Sequence, residues 1–240
     1  MKLQWMLAML QLASTGVSGH PPEPGDTARA EPAAPTWTID PTTPGSDLPA
    51  AGASLFDRIT LDEQGRRQIP FPFERFVARI EAAAGCDASR PCTKAVLIPL
   101  GRSLQRSAAS PDFFRHPRIV TAVVADGAGL RLRDRLYVGF QDRAAVIEVI
   151  SYNESLGRFE FQIAKNYAAG KVPEVSYARR TLCVACHQNH GPIFSQQVWL
   201  ETNANPQVAA RLEREQQSFA GIAARTNTDV AQAIDDATDR

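Results

Sequence analysis

Val146-Ile147-Glu148-Val149-Ile150-Ser151-Tyr152 and Arg158-Phe159-Glu160-Phe161-Gln162-Ile163 stand on either side of Asn153-Glu154-Ser155-Leu156-Gly157. Both flanks alternate and are rich in β-branched and aromatic residues. The Asn/Gly segment between them is a turn. The stretch therefore predicts a β-hairpin. Its register stays open: Glu148 either faces Arg158 or lies near Glu160 across the pair. Asn153-Glu154-Ser155 also spells a glycosylation acceptor, but the turn accounts for it sufficiently.

Working outward, the preceding residues read as more strands. Ala95-Val96-Leu97-Ile98-Pro99-Leu100 is a short apolar run. Ile119-Val120-Thr121-Ala122-Val123-Val124 ends before Asp126-Gly127, and Leu136-Tyr137-Val138-Gly139-Phe140 follows. Further back, Phe73, Phe76, Val77 and Ile80 recur at helical spacing. Pro72 suits the first turn of that helix and Gly85 its C′ position, which predicts a helix from about Pro72 to Ala84. After residue 183 the texture is helical again. Asn205 is an N-cap with Pro206 at N1, and Val208, Ala209 and Leu212 form the buried side of a helix to about Gln217. Thr228 caps a last short helix through Ile234. A helix, several antiparallel strands and then helices make the class α+β.

The chain has 240 residues, 44% apolar and 22% charged, the mix of an ordinary globular protein. Lys+Arg and Asp+Glu are both 26, so no electrostatic footprint for nucleic acid or an anionic membrane surface is visible. No apolar run is long enough for a stable membrane span. Lys2, an apolar stretch over 3–13 and small residues over 14–19 have the order of an export signal, with cleavage expected after Gly19. Residues 20–54 hold eight of the seventeen prolines and almost no apolar periodicity. They read as a disordered linker, unable to offset their ordering entropy by burial. The organisation expected is thus a signal over 1–19, a Pro-rich linker over 20–54 and one β-rich domain over 55–240. Export places the protein in the periplasm or otherwise outside the cytoplasm.

One segment carries chemistry: Cys183-Val184-Ala185-Cys186-His187. C-x-x-C-H is the attachment signature of c-type haem. On one helical turn residues i, i+3 and i+4 share a face. Two thiols so placed reach the two vinyl groups of one porphyrin, and His187 offers its imidazole to the iron as proximal ligand. At this Cys and His content roughly one chain in a thousand would carry the pattern by chance. Cys183, Cys186 and His187 are therefore the cofactor-binding candidates, with haem c as cofactor and His187 as iron ligand. The expected fold is then an antiparallel β-rich domain followed by a haem-binding motif, around 180–217, and C-terminal helices.

At these three residues the sequence resembles bacterial c-type cytochromes. The stretches His187-Gln188-Asn189-His190-Gly191-Pro192-Ile193-Phe194 and Glu201-Thr202-Asn203-Ala204-Asn205-Pro206 are similar to uncharacterised exported bacterial proteins with a cytochrome c-like motif. The resemblance implies electron transfer through haem to a redox partner protein that the sequence does not name. An electron carrier is expected, rather than an enzyme with its own substrate.

The chain departs from that pattern in two ways. A hairpin and the basic pair Arg179-Arg180, not a helix, precede the motif. All three methionines, Met1, Met6 and Met9, lie in the expected signal, so no methionine remains to ligate iron. Among the histidines, His190 is too close to His187 to reach the other side of the ring, and His20 lies in the linker. That leaves His116, in Phe113-Phe114-Arg115-His116-Pro117, as the candidate distal ligand, against a surface turn residue and five-coordinate or water-bound iron. Histidine ligation would lower the potential relative to methionine. Lys171, Arg179 and Arg180 could pair with haem propionates or stand as solvated surface charges.

Other chemistries use the same residues. Cys183, Cys186, His187 and His190 make four zinc ligands, but within one short segment, whereas structural zinc sites draw pairs from separated segments. A thioredoxin-like thiol pair lacks its βαβ context. A non-haem envelope interaction module with a Cys183–Cys186 disulfide, and a haem sensor or peroxidase-like protein, complete the alternatives. Cys86 and Cys92 enclose five residues, and in an oxidising compartment they are expected to form a structural disulfide.

Overall fold

The computed structural model describes residues 52–100, 104–188, 191–194 and 198–225. All of them belong to one compact unit spanning 37–240. The expected signal, nearly all of the expected linker and the helix expected after Thr228 lie outside the described residues.

The class is α+β, built on one six-stranded antiparallel sheet. Its strands are β1 (Thr93–Ile98), β2 (Arg118–Val123), β3 (Leu136–Gln141), β4 (Val146–Asn153), β5 (Arg158–Lys165) and β6 (Glu174–Tyr177), paired in chain order as a meander. The hairpin expected from the sequence is β4–β5. Its register sets Glu148 opposite Ile163, Ser151 opposite Glu160 and Asn153 opposite Arg158. Glu148 therefore faces neither Arg158 nor Glu160. It pairs with Arg118 of β2, while Arg158 Nε donates to Glu160 Oε1 at 2.6 Å.

Side-chain parity gives the sheet two buried faces. Leu97, Ile119, Phe140, Ile147 and Ala164 run across one face, joined in register from β1 to β5. Two helices cover that face: α1 (Leu55–Thr60) and α2 (Phe73–Ala84). They contribute Phe56, Phe73, Phe76 and Ile80, all about 1% exposed or less. Phe73 stacks on Phe140 with centroids 4.8 Å apart. Val96, Val120, Ala122, Tyr137, Ile150 and Phe161 form a second, smaller cluster on the opposite face. That face is the one the chain returns to after β6.

Helix α2 begins one residue after Pro72, which stands at its N-cap, and ends at Gly85 with φ 75°. A Cβ at Gly85 would lie 2.4 Å from the backbone nitrogen of Gly129, so only glycine fits that left-handed, crowded position. Immediately beyond, Cys86 and Cys92 form a disulfide. The Glu81 carboxylate braces the same loop, accepting from the backbone N–H groups of Cys92 at 2.7 Å and Thr93 at 2.8 Å.

Helix α3 (Leu104–Ala109) precedes β2. After β6 come α4 (Arg180–Val184), α5 (Val198–Glu201) and α6 (Pro206–Glu215), then the short pair β7 (Ser218–Phe219) and β8 (Ile222–Ala223). Asn205 caps α6 by accepting from Gln207 N–H at 2.8 Å, as its type and position predict. Asn203 does the work of a strand residue at the β1 edge. Its side-chain oxygen accepts from Leu97 N–H at 3.0 Å, and its own N–H donates to the Leu97 carbonyl at 3.1 Å. The segment after the cysteines is thereby pinned to the sheet. No described helix is long and apolar enough to cross a membrane.

Candidate functional site

Strand β6 delivers the motif to the second sheet face. Ala178 donates its N–H to the Phe161 carbonyl at 2.7 Å, and Arg180 Nε donates to the Phe159 carbonyl at 3.2 Å. Helix α4 then starts, and its turn continues past its nominal end. Cys186 N–H and His187 N–H both donate to the Cys183 carbonyl, at 3.1 and 2.8 Å. Cys183, Cys186 and His187 thus occupy positions i, i+3 and i+4 of one helical turn, and all three border the same cavity.

Each donor has a distinct environment. Cys183 is half-buried against the second cluster. Burial, with the neighbouring Cys186 thiol adding to it, pushes its pKa up to about 11. Cys186 is exposed. Both are free thiols, whereas Cys86 and Cys92 are bonded. His187 Nδ1 lies 2.7 Å from the Gly191 carbonyl oxygen. A carbonyl can only accept, so Nδ1 carries a proton, which makes Nε2 the ring nitrogen that could bind a metal. The imidazole also meets the Phe161 ring, 5.4 Å between centroids.

The cavity between the motif and the sheet has a volume of about 190 Å³. Ile98, Val120, Tyr137, Ile150 and Phe161 line its sheet side, and Pro192, Ile193 and Phe194 close it from the chain beyond the motif. One ion pair interrupts the apolar sheet side, Arg118 Nη2 with Glu148 Oε2. Burial lowers the Arg118 pKa to about 10. The sequence reading missed this pair. Its only trace there was Gly139 inside an otherwise strong strand, which makes room for the Arg118 guanidinium.

The remaining candidates are placed elsewhere. His116 Nδ1 lies 2.7 Å from Asp142 Oδ2, and its carbonyl accepts from the side-chain amides of Gln105 and Gln141. It is not among the described residues lining the cavity. Phe114, two residues before it, is buried in the helix-covered core with Arg211 over its ring at 3.9 Å. Arg179 has a buried Nε without a hydrogen-bond partner, and Lys171 is exposed. Asn189 and His190 lie outside the described residues.

Among the described residues, Glu81, Cys86 and Cys92 form the one trio of ligand atoms all within 4.8 Å of one another, and its two sulfurs are already bonded. No family model, curated protein or solved structure matches the chain.

Proposed function

We propose that this chain is an exported, monohaem c-type cytochrome-like protein acting in electron transfer. The observation that carries the reading is the His187 imidazole. It sits at i+4 from one free thiol and i+1 from another, with Nδ1–H held by the Gly191 carbonyl at 2.7 Å. A carbonyl partner of this kind fixes the tautomer and orientation of metal-ligating histidines. Cys183, Cys186 and His187 border one cavity from a single helical turn, the arrangement a ring with two attachment points and one iron ligand would need.

The donor set fits haem. The cavity, at about 190 Å³, is smaller than the roughly 300–1,000 Å³ of pockets that enclose a whole small ligand. Covalent tethering rather than enclosure would therefore retain the group. Bound haem supplies a one-electron iron couple. The chain supplies the rest. Cys183 and Cys186 would tether the group and His187 would ligate its iron, with the imidazole oriented by the Gly191 carbonyl. Phe161, Ile150 and Tyr137 offer a low-dielectric wall that favours the less charged state. Met1, Met6 and Met9 all precede residue 20, and His116 pairs with Asp142 and is not among the described residues lining the cavity, so of the two readings the sequence left open, five-coordinate or water-bound iron is the one proposed. The order of residues 1–19 supports delivery to the periplasm, where such attachment occurs.

Co-expression with a cytochrome c maturation system is the test. Intact-protein mass should rise by one haem, and Cys183→Ala or Cys186→Ala should weaken or abolish the gain. Unmodified peptides spanning 183–187 from such cells would overturn the reading.

A further inference from the structure

Arg118 is built into the cavity in a way that ordinary sheet packing does not require. It projects from β2 and lies flat over the central strand at Gly139. A Cβ on that residue would stand 3.1 Å from Arg118 Nε and 3.2 Å from Nη2. Glycine inside a strand weakens it and marks a close approach of another group. Here the approaching group is the guanidinium. Gly139 stands directly opposite Glu148 in register, so the arginine reaches across one strand to its counter-ion on the next. Glu148 engages Nη2 alone. Nε is buried and has no hydrogen-bond partner. A buried donor of a charged group left without an acceptor is disfavoured, and such a group in a native fold calls for an explanation.

From this geometry we infer that Arg118 is a carboxylate-binding residue, and that the cavity takes a ligand joining an apolar body to a carboxylate. Nε and Nη2 lie on one edge of the guanidinium, the fork that matches two carboxylate oxygens. Glu148 holds the arginine in place and neutralises its charge, and the fork still has Nε to give. Ile98, Val120, Tyr137, Ile150 and Phe161 around it suit hydrocarbon. Glu201 also borders the cavity, from α5. The carboxylate has two possible sources, a propionate of the proposed haem or a separate apolar acid. Only the first rests on the haem reading.

The experiment uses the full chain with reduced thiols, both without haem and after haem attachment. Metal-free protoporphyrin IX and its dimethyl ester are titrated by porphyrin fluorescence. Benzoate is titrated by the NMR resonance of the Arg118 Nε–H, assigned by its loss in Arg118→Lys. Arg118→Gln should weaken the free-acid porphyrin by about ten- to a hundredfold and leave the ester unchanged. Arg118→Lys keeps the charge without the fork and should lose the same selectivity. Glu148→Gln removes the competing carboxylate and should tighten the free acid, an effect that a merely structural role for the pair would not produce. Should Arg118→Gln fail to fold by circular dichroism, the other two variants decide. A benzoate shift seen only before haem attachment assigns the site to a propionate. A shift that persists after attachment assigns it to a separate acid. Equal affinities for acid and ester, with no benzoate shift of the Nε–H, would overturn the inference. If haem never attaches but benzoate still moves the Nε–H, the haem reading falls and this one stands.

Discussion

In the chain without haem, thiol–disulfide exchange at Cys183 should be slow near neutral pH and accelerate steadily into alkali. The sulfur is half-buried against the Val96–Phe161 cluster, and burial is the main reason its pKa rises to about 11. At about pH 8 an ordinary thiol with pKa near 8.5 is roughly a quarter thiolate, whereas a thiol at about 11 is roughly one part in a thousand. The thiolate deficit is on the order of two hundredfold. The more basic thiolate is the better nucleophile, and a Brønsted coefficient of about 0.4–0.5 returns roughly tenfold of that. The net expectation is exchange about twentyfold slower than at an exposed thiol. The sign follows from the direction of the shift: a raised pKa withholds the reactive anion below it and releases it as pH climbs. The rate should therefore rise close to tenfold per pH unit up to about pH 11. A small disulfide reagent, quenched time points and peptide mass spectrometry separate Cys183 from Cys186. The urea-unfolded chain is the reference in which Cys183 should react as an ordinary thiol. Equal folded and unfolded rates at about pH 8, or a plateau below about pH 9, would refute the burial argument.

Asp57→Asn should destabilise the fold by about 3–5 kcal/mol, the scale for breaking a buried ion pair. Asp57 is fully buried and accepts from Arg67, Gln162, Ser54 and Tyr177, so the amide leaves Arg67 without its counter-charge. A fall in the urea midpoint at unchanged slope measures it, and a loss below about 1 kcal/mol would count against the network. Replacing Cys86 and Cys92 together by Ala should cost roughly 2 kcal/mol, because the bond closes only a short loop across a separation of 6 residues; an unchanged melting curve under reductant would contradict this. In the haem-loaded protein, His116→Ala should leave the reduced absorbance spectrum and the potential unchanged, since His116 pairs with Asp142 and is not among the described residues lining the cavity. A changed spectrum or potential would make it the distal ligand instead. Protein recovered from the periplasm should begin near His20, and an intact Met1 by mass spectrometry would exclude cleavage there.

The hairpin of β4 and β5 and helix α2 were legible because their own side chains repeat with the period of the element they form. Arg158–Ile163 alternates polar and apolar residues along its strand, and Phe73, Phe76, Val77 and Ile80 fill a helical stripe over about two turns. Helix α1 was not legible. Its six residues carry too little periodicity, and distant groups hold it: Ser151 Oγ accepts from Phe56 N–H at 2.8 Å, and Gln162 and Tyr177 reach Asp57 from the sheet. Strand β6 has only four residues and one partner strand, so it inherits its conformation from β5. The residues at 183, 186 and 187 stood out because two cysteines and a histidine at i, i+3 and i+4 share one turn, the spacing the proposed attachment would need. The Gly191 contact could not, because a backbone carbonyl leaves no trace in residue type.

Parity carries the site further than composition does. Once Ile147 and Val149 face the helices, Glu148 and Ile150 must point to the other side, because successive strand residues alternate. A carboxylate among apolar neighbours on a covered face needs a cation of matching parity on a nearby strand. Arg118 has that parity, and Gly139 between the two is the residue that lets it lie flat. The same alternation puts Phe161, paired with Ile150, on the side where it meets the His187 ring. The ion pair and the imidazole therefore share one sheet face through register alone. A one-residue slip of β4 against β3 would send Glu148 to the helix side and leave Arg118 facing the motif uncompensated. The strength of the six-stranded register is in this sense part of the site, since it holds the charge of Arg118 beside the thiols and the imidazole.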